Sequence, residues 1–364
     1  MDRLEKRKSL DIRFKGEEGT GLGPTYEYFT LLANNIKDAK DGKLWRVGSS
    51  DGSLFPSPID HKTITEAQVT EVMNLFRLAG TFIAKSIVDD KLIDLPISNL
   101  MWDLLIGKKL NLFDLKDFDP AQFKLLCELQ TVANRKREIE EMQCDLESKN
   151  RLKQGTRTAS GTTLEDLSLY FILPNHHEEI ELVHDGKNTE VTIDNVQEFI
   201  DLVLHSTFYD CVNLQLQAFK KGFNSVLPLD SIRTFATRGE IETMICGQLM
   251  DETEWKDIAK LKRAIKADHG FTSESQSYND FLRFIVEMPI DFRSKFIQWL
   301  TGSKRLPKGG FCGLENQVSV NRVVDSSLRG VSPDEHCPSV NTCLHYVKFP
   351  AYSSYEVLQR KFEQ

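Results

Sequence analysis

Between Thr63 and Asp90 apolar residues recur at helical spacing, with Val72, Leu75, Phe76, Ala79, Phe82, Ile83 and Ile87 on one stripe. No other stretch constrains the fold as strongly. A helix this long with so wide an apolar face is stable only when other elements cover it, so the chain is expected to build a helical core around it. Thr63 and Glu66 stand as its capping box.

The 364 residues, 40% of them apolar, are enough for two or three such cores. No run approaches the ~18 uncharged apolar residues of a membrane helix, and the opening Met1-Asp-Arg-Leu-Glu-Lys-Arg-Lys has no secretory apolar stretch. The expected location is cytoplasmic or nuclear. Seven cysteines, an odd number with no C-x-x-C pair, are expected to be reduced thiols. The net charge of −8 argues against nucleic acid and anionic membrane as partners. Residues 291–364 carry ten Lys/Arg against seven Asp/Glu, so an acidic body adjoins a mildly basic tail domain.

Ser9 to Phe14 alternates like a half-buried strand and meets the glycine-rich Gly16–Pro24 turn. Glu17, Glu18 and the lack of Gly-Lys-Ser/Thr disfavour a phosphate cradle, and Pro24 with Thr25 reads as the start of a helix. Pro96–Leu105 and Pro120–Glu128 are predicted as short helices. Residues 134–153 are read as an exposed charged segment, followed by a flexible polar loop over Gln154–Thr163. Leu167–Leu173 and Glu190–Ile193 read as strands, Asp194–His205 as a helix capped by Asp194, and Leu214–Phe223 as another helix.

Phe281–Ile285 and Phe292–Trp299 are two apolar runs separated by Glu287-Met288-Pro289-Ile290. Proline lacks the amide hydrogen needed to continue the first helix but fits the first turn of the second, which makes Glu287, Met288, Pro289 and Ile290 the candidate hinge. Beyond it Gln317–Val324 and Leu344–Phe349 read as strands, and Ser353 with Glu356 as a capping box opening a last helix, Tyr355–Phe362.

Cys127, Cys144, Cys211 and Cys246 fall in helices or at their ends and are read as packing residues. Cys312 follows a Gly-Gly-Phe turn and could pack or react. Cys343 stands at a loop-to-strand junction, where a nucleophile needs to be, and strand alternation would set His345 beside it with Lys348 near. Spacing alone leaves the packing and nucleophile readings of Cys343 both open.

The string Cys337-Pro-Ser-Val-Asn-Thr-Cys343-Leu-His-Tyr-Val-Lys-Phe-Pro350 resembles the active-site segment of HECT ubiquitin ligases. Five further motifs follow the family's order. They are Gly19-Thr-Gly-Leu-Gly-Pro-Thr-Tyr-Glu-Tyr-Phe29, Leu75-Phe-Arg-Leu-Ala-Gly-Thr-Phe-Ile-Ala-Lys85, Ala218-Phe-Lys-Lys-Gly-Phe223, Asp268-His-Gly-Phe-Thr272 and Trp299-Leu-Thr-Gly-Ser-Lys-Arg-Leu-Pro-Lys-Gly-Gly-Phe311. The Gly-Leu-Gly-Pro-Thr and His-Gly-Phe-Thr variants look most like the ubiquitin-fusion-degradation branch, which includes the thyroid-receptor-interacting ligases.

The resemblance implies an α+β, bilobal fold. A mostly helical N-lobe would span 1–286, with an inserted small α/β subdomain at about 164–225 that binds the ubiquitin-conjugating enzyme. The hinge would be 287–290 and a small α/β C-lobe 291–364. Leu204, Phe208 and Tyr209 are the expected docking residues. The partners implied are the conjugating enzyme, ubiquitin and a protein substrate, with no nucleic acid, membrane, cofactor or metal. Cys343 would carry ubiquitin as a thioester, supported by Thr342 and His345, before transfer to a lysine. The family usually has Asn where His345 stands and Leu where Cys337 stands. Members also continue past the segment matching Tyr355–Phe362 into a tail with a phenylalanine that supports ligation. On that ground a second expectation is a truncated, ligation-impaired module that still binds conjugating enzyme or ubiquitin.

Overall fold

The computed structural model describes residues 8, 10–16, 22–39, 43–60, 62–176, 178–233, 237–248, 250–323, 330–342 and 344–364. The chain forms two compact units, one of residues 37–82 and 96–235, the other of 1–36, 83–95 and 236–364.

The first unit is built on the striped helix, which runs Glu66–Val88 and contributes its residues up to Phe82 here. Its start differs from the expected one. Thr65 and Gln68 form the reciprocal cap, with Thr65 N donating to Gln68 Oε1 at 3.0 Å and Gln68 N to Thr65 Oγ1 at 3.4 Å. Helix Asn213–Asn224 crosses it at two glycines so closely that a Cβ on Gly80 would lie 2.1 Å from the Phe219 oxygen, and one on Gly222 2.0 Å from the Arg77 oxygen. Trp102 packs edge-on against Phe219 and Phe223, with centroids 5.9 Å away in both cases, and a hairpin of β1 (Trp45–Val47) and β2 (Leu54–Pro56) sets Trp45 on Phe76.

The charged stretch after Asn134 is helical. Pro120–Glu141 continues through it and Leu146–Gln154 follows, held by Lys153 pairing with Asp194 at 2.7 Å and Glu140 at 3.2 Å. The strand expected over Leu167–Leu173 is absent. Leu164–Leu167 is a short helix, and only single bridges, Tyr170 with Glu190 and Ile172 with Glu181, follow it. Helix Val196–Phe208 starts after Asn195, and Asp194 does not cap it. Residues 10–14 form no strand, because no neighbouring strand offers them a ladder among the described residues.

The second unit contains one large core whose buried members run from Trp255 to Leu358. Its sheet has the order β3-β4-β6-β5, from Ile265–Asp268, Val318–Arg322, Tyr346–Phe349 and Ser339–Asn341. The first three strands are parallel and β5 is antiparallel on the edge. Alternation puts Ile265, Val318, Val320, Val347 and Phe349, all fully buried, on the core face. Helices Gln276–Glu287, Ile290–Thr301 and Tyr355–Glu363 supply much of the rest of that core, in which Phe362 meets Phe281, Phe284 and Phe349 at 5.2–5.4 Å.

This geometry relocates two sequence expectations. Glu287-Met288-Pro289-Ile290 is a corner between two helices that share one core: Met288 is 2% exposed and Glu287 accepts from the Tyr355 hydroxyl at 2.7 Å. Because β3 and helix Gln276–Glu287 belong to the same sheet and core as the residues after 290, the small body does not begin at residue 291. The final helix is capped by Ser354, which accepts from Val357 N, while Ser353 bonds Asp334 instead.

Candidate active site

The connection between β5 and β6 holds the motif segment. Cys343 itself lies outside the described residues. On one side of it Thr342 is half-buried; on the other Leu344 is 55% exposed, its amide donating to Asn341 Oδ1 at 3.2 Å. The turn therefore leaves an apolar side chain in solvent immediately after the cysteine.

His345 closes the turn. Its φ of 49° lies in the left-handed region, which histidine tolerates better than most residues, and its side chain is 3% exposed. Nδ1 sits 2.7 Å from the Asn316 carbonyl oxygen. A carbonyl only accepts, so Nδ1 carries the proton. The His345 carbonyl in turn accepts from Ser319 N at 3.0 Å at the head of β4. β6 starts only at Tyr346, so strand alternation does not reach back to His345, and the ring faces into the body. This geometry supports His345 as an anchor of the turn. Lys348 is exposed, with its Nζ 5.2 Å from the Tyr346 ring centroid.

The other cysteines divide by environment. Burial pushes the Cys211 thiol up to about 11 and the Cys246 thiol up to about 12, which leaves little thiolate at neutral pH. Cys127 is half-buried, and burial raises its thiol too. Cys144, expected to pack, is exposed in a bend after its helix, and Cys312 and Cys337 are exposed as well. Among the described residues no group of three or more His, Cys, Asp or Glu side chains could hold a metal ion.

In the other unit the three expected docking residues separate. Phe208 is 1% exposed and packs edge-on to Phe55 at 6.3 Å, so it is a core residue with no surface to offer. Leu204 is half-buried. Tyr209 is half-buried and tied down, its hydroxyl accepting from Leu110 N at 2.8 Å. Tyr209 borders a groove of about 520 Å³ that sequence reasoning did not find, with Lys108 and Lys220 among its lining. The signal for it lay in Lys108 and Lys109, a basic pair directly after a helix end.

The described residues thus comprise a helical unit and an α/β body in which the motif segment lies between the two edge-most strands of the sheet. The profile of the HECT-domain (ubiquitin-transferase) family matches residues 30–364, and the chain belongs to that family. Its sequence is 33% identical to the E3 ubiquitin-protein ligase UPL4 of Arabidopsis thaliana, over 97% of this chain and 23% of that protein. It is 32% identical to the E3 ubiquitin-protein ligase TRIP12 of Danio rerio, over 99% of the chain and 18% of the relative. It is also 29% identical to ubiquitin fusion degradation protein 4 of Saccharomyces cerevisiae, over 98% and 23%. The chain thus spans less than a quarter of the length of these relatives. Ligases of this family work with ubiquitin, conjugating enzymes and substrates.

Proposed function

We propose that this chain accepts ubiquitin from a conjugating enzyme as a thioester on Cys343 and passes it to a lysine of a protein substrate. The observation that carries this reading is the family match, which spans Thr342, Cys343 and the four-stranded sheet. In the first transfer the Cys343 thiolate attacks the carbonyl of the incoming thioester, and the thiolate of the conjugating enzyme leaves. In the second a neutral lysine amine attacks the new thioester, the isopeptide bond forms, Cys343 thiolate departs and the amine's surplus proton goes to solvent. Thioester exchange is near balanced in energy, so the covalent intermediate divides the reaction without metal or redox chemistry.

On this reading Thr342 and His345 support the reaction of the thiol, His345 by anchoring its own stretch of chain to Asn316. The body with the Trp255–Leu358 core is the part that would travel between donor and acceptor. Leu204 and Tyr209, with the neighbouring groove, are the proposed contact for the conjugating enzyme, and the proposed location is cytoplasmic or nuclear.

Incubation with ubiquitin, activating enzyme, conjugating enzyme and ATP tests the chemistry on a non-reducing gel. The expected result is an adduct of one ubiquitin that thiol reagents cleave, absent from Cys343→Ala and converted in Cys343→Ser to an oxyester that resists them. An adduct of unchanged yield in Cys343→Ala rejects the assignment.

A further inference from the structure

Lys91 is a buried lysine, 7% exposed, that the transfer chemistry does not use. Burying an ammonium is costly unless it is paired and hydrogen-bonded, so its partners show what it holds. Its Nζ donates to the Tyr26 hydroxyl at 3.3 Å and lies 4.5 Å from that ring's centroid. Its ion-pair partner is Glu315, with Oε2 at 3.8 Å. Lys91 thereby joins helix Leu22–Lys37, the chain just past helix Glu66–Val88 and the stretch around Glu315, all within one compact unit.

The residue after Glu315 is Asn316, whose carbonyl oxygen accepts from His345 Nδ1 at 2.7 Å. Residues 314–317 belong to no helix or strand, so no ladder of backbone bonds fixes that carbonyl. Side chains on either side of it tie the stretch down. Gln317 Nε2 donates to the Arg263 oxygen at 2.8 Å, and Glu315 meets Lys91. Tyr26, Glu315 and His345 also line one small cavity of about 60 Å³, which brings both partners of Lys91 close to the imidazole.

The Lys91–Glu315 pair adds little to stability, because the Glu315 side chain is 61% exposed. What it supplies is position. We infer that Lys91 and Glu315 are positioning residues: by holding residue 315 they set the Asn316 carbonyl where it anchors His345, and through His345 they govern the rate at which Cys343 is charged. The effect on charging rests on the proposed thioester function; the hold on His345 does not.

Nitrogen-15 NMR of the histidine rings in the full chain tests that hold without any transfer, with His345 assigned by the signal lost in His345→Asn. Lys91→Met and Glu315→Gln are each expected to speed solvent exchange of the His345 Nδ1 proton about fivefold or more. Lys304→Met should leave it unchanged, since it breaks the nearby pair with Asp94 at 3.1 Å without touching residue 315. Unaltered exchange in both Lys91→Met and Glu315→Gln would overturn the inference, and exposed Glu315 can be changed without threatening the fold. In single-turnover charging the same two variants should lower the saturating rate about fivefold at an unchanged half-saturating concentration of conjugating enzyme. In a His345→Ala background neither should slow charging further, because the residue they act through is gone. Equal slowing with and without His345 would overturn the route through the imidazole. Absence of charging by the unmodified protein would instead sink the transfer reading, and the exchange measurement would still decide whether Lys91 and Glu315 hold His345.

Discussion

Gly80→Ala sets two physical effects against each other at the crossing of helices Glu66–Val88 and Asn213–Asn224. Helix propensity alone favours alanine by about 1 kcal/mol. Packing opposes it. The new Cβ would lie 2.1 Å from the Phe219 oxygen and 2.9 Å from Phe223 N, both backbone atoms that cannot rotate away. Restoring an ordinary contact of 3.4 Å requires the helices to part by about 1.3 Å. A gap of that size forfeits roughly half the dispersion energy of the atoms along the seam. Those atoms include the fully buried, stacked rings of Phe219 and Phe223, with Trp102 edge-on to both. Overpacking of this kind costs up to about 3 kcal/mol and sometimes more, so the net change is a loss of about 2 kcal/mol. At ~2–4 °C per kcal/mol for a unit of this size, Tm should fall by roughly 4–8 °C. Gly222→Ala should behave alike, and the double variant should lose less than the two single losses added together, because helices already parted accept the second methyl more cheaply. Thermal unfolding followed by far-ultraviolet circular dichroism measures all three. A Tm that rises, as propensity alone requires, refutes the close crossing.

The anchored turn predicts that His345→Ala slows thioester loading at least tenfold while affinity for the conjugating enzyme is unchanged, whereas Asn, which also tolerates left-handed backbone, restores most of the rate in single-turnover assays. Thiol mapping should show Cys211 and Cys246, with thiols raised to about 11 and about 12, unreactive toward iodoacetamide at pH 8 in the folded protein, while exposed Cys144, Cys312 and Cys337 react. Labelling of Cys246 at the rate of a denatured control would contradict its burial. Hydrogen bonds from Arg293 and then Lys256 hold Glu252 down at about 2, against an ordinary value of 4.5. A depressed carboxylate stabilises above its unfolded pKa and loses that contribution as pH falls through the folded one. Chemical denaturation should therefore show that Glu252→Gln flattens part of the stability loss between pH 4.5 and about 2, and a slope unchanged in that window would count against the pair. Phe208→Ala should destabilise the protein by about 3–5 kcal/mol as a core residue, while Leu204→Ala should weaken conjugating-enzyme binding with little change in Tm, and the reverse pattern would exchange their roles.

Much of the helical architecture was legible because burial repeats every three to four residues. The stripe from Val72 to Ile87 located its helix, although Thr63 with Glu66 and Thr65 with Gln68 are equally good capping boxes on paper and only backbone geometry chose the second. Strands were harder to read. Leu167–Leu173 has the composition of a strand but pairs at single bridges only, since pairing depends on a partner that local sequence does not encode. β3, Ile265–Asp268, was missed because Lys266 and Asp268 face away from the core and leave two apolar residues as signal. Pro289 correctly ended a helix, yet a proline reports on backbone hydrogen bonding and not on where a core ends, so the inferred boundary at 287–290 fell inside one body. The cysteine segment was recognisable only by its likeness to the family. The inward turn of His345 could not be read from spacing, because it depends on the carbonyl of Asn316, 29 residues away in sequence.

The most direct trial of the account is intact-protein and peptide mass spectrometry of the chain after a single round of charging under non-reducing, mildly acidic conditions. The account predicts a mass gain of one ubiquitin, lost on treatment with dithiothreitol, with the ubiquitin C-terminus joined to the peptide that contains Cys343. A dithiothreitol-labile adduct found instead on Cys312 or Cys337, or no such adduct from a fully folded protein and an active conjugating enzyme, would contradict it.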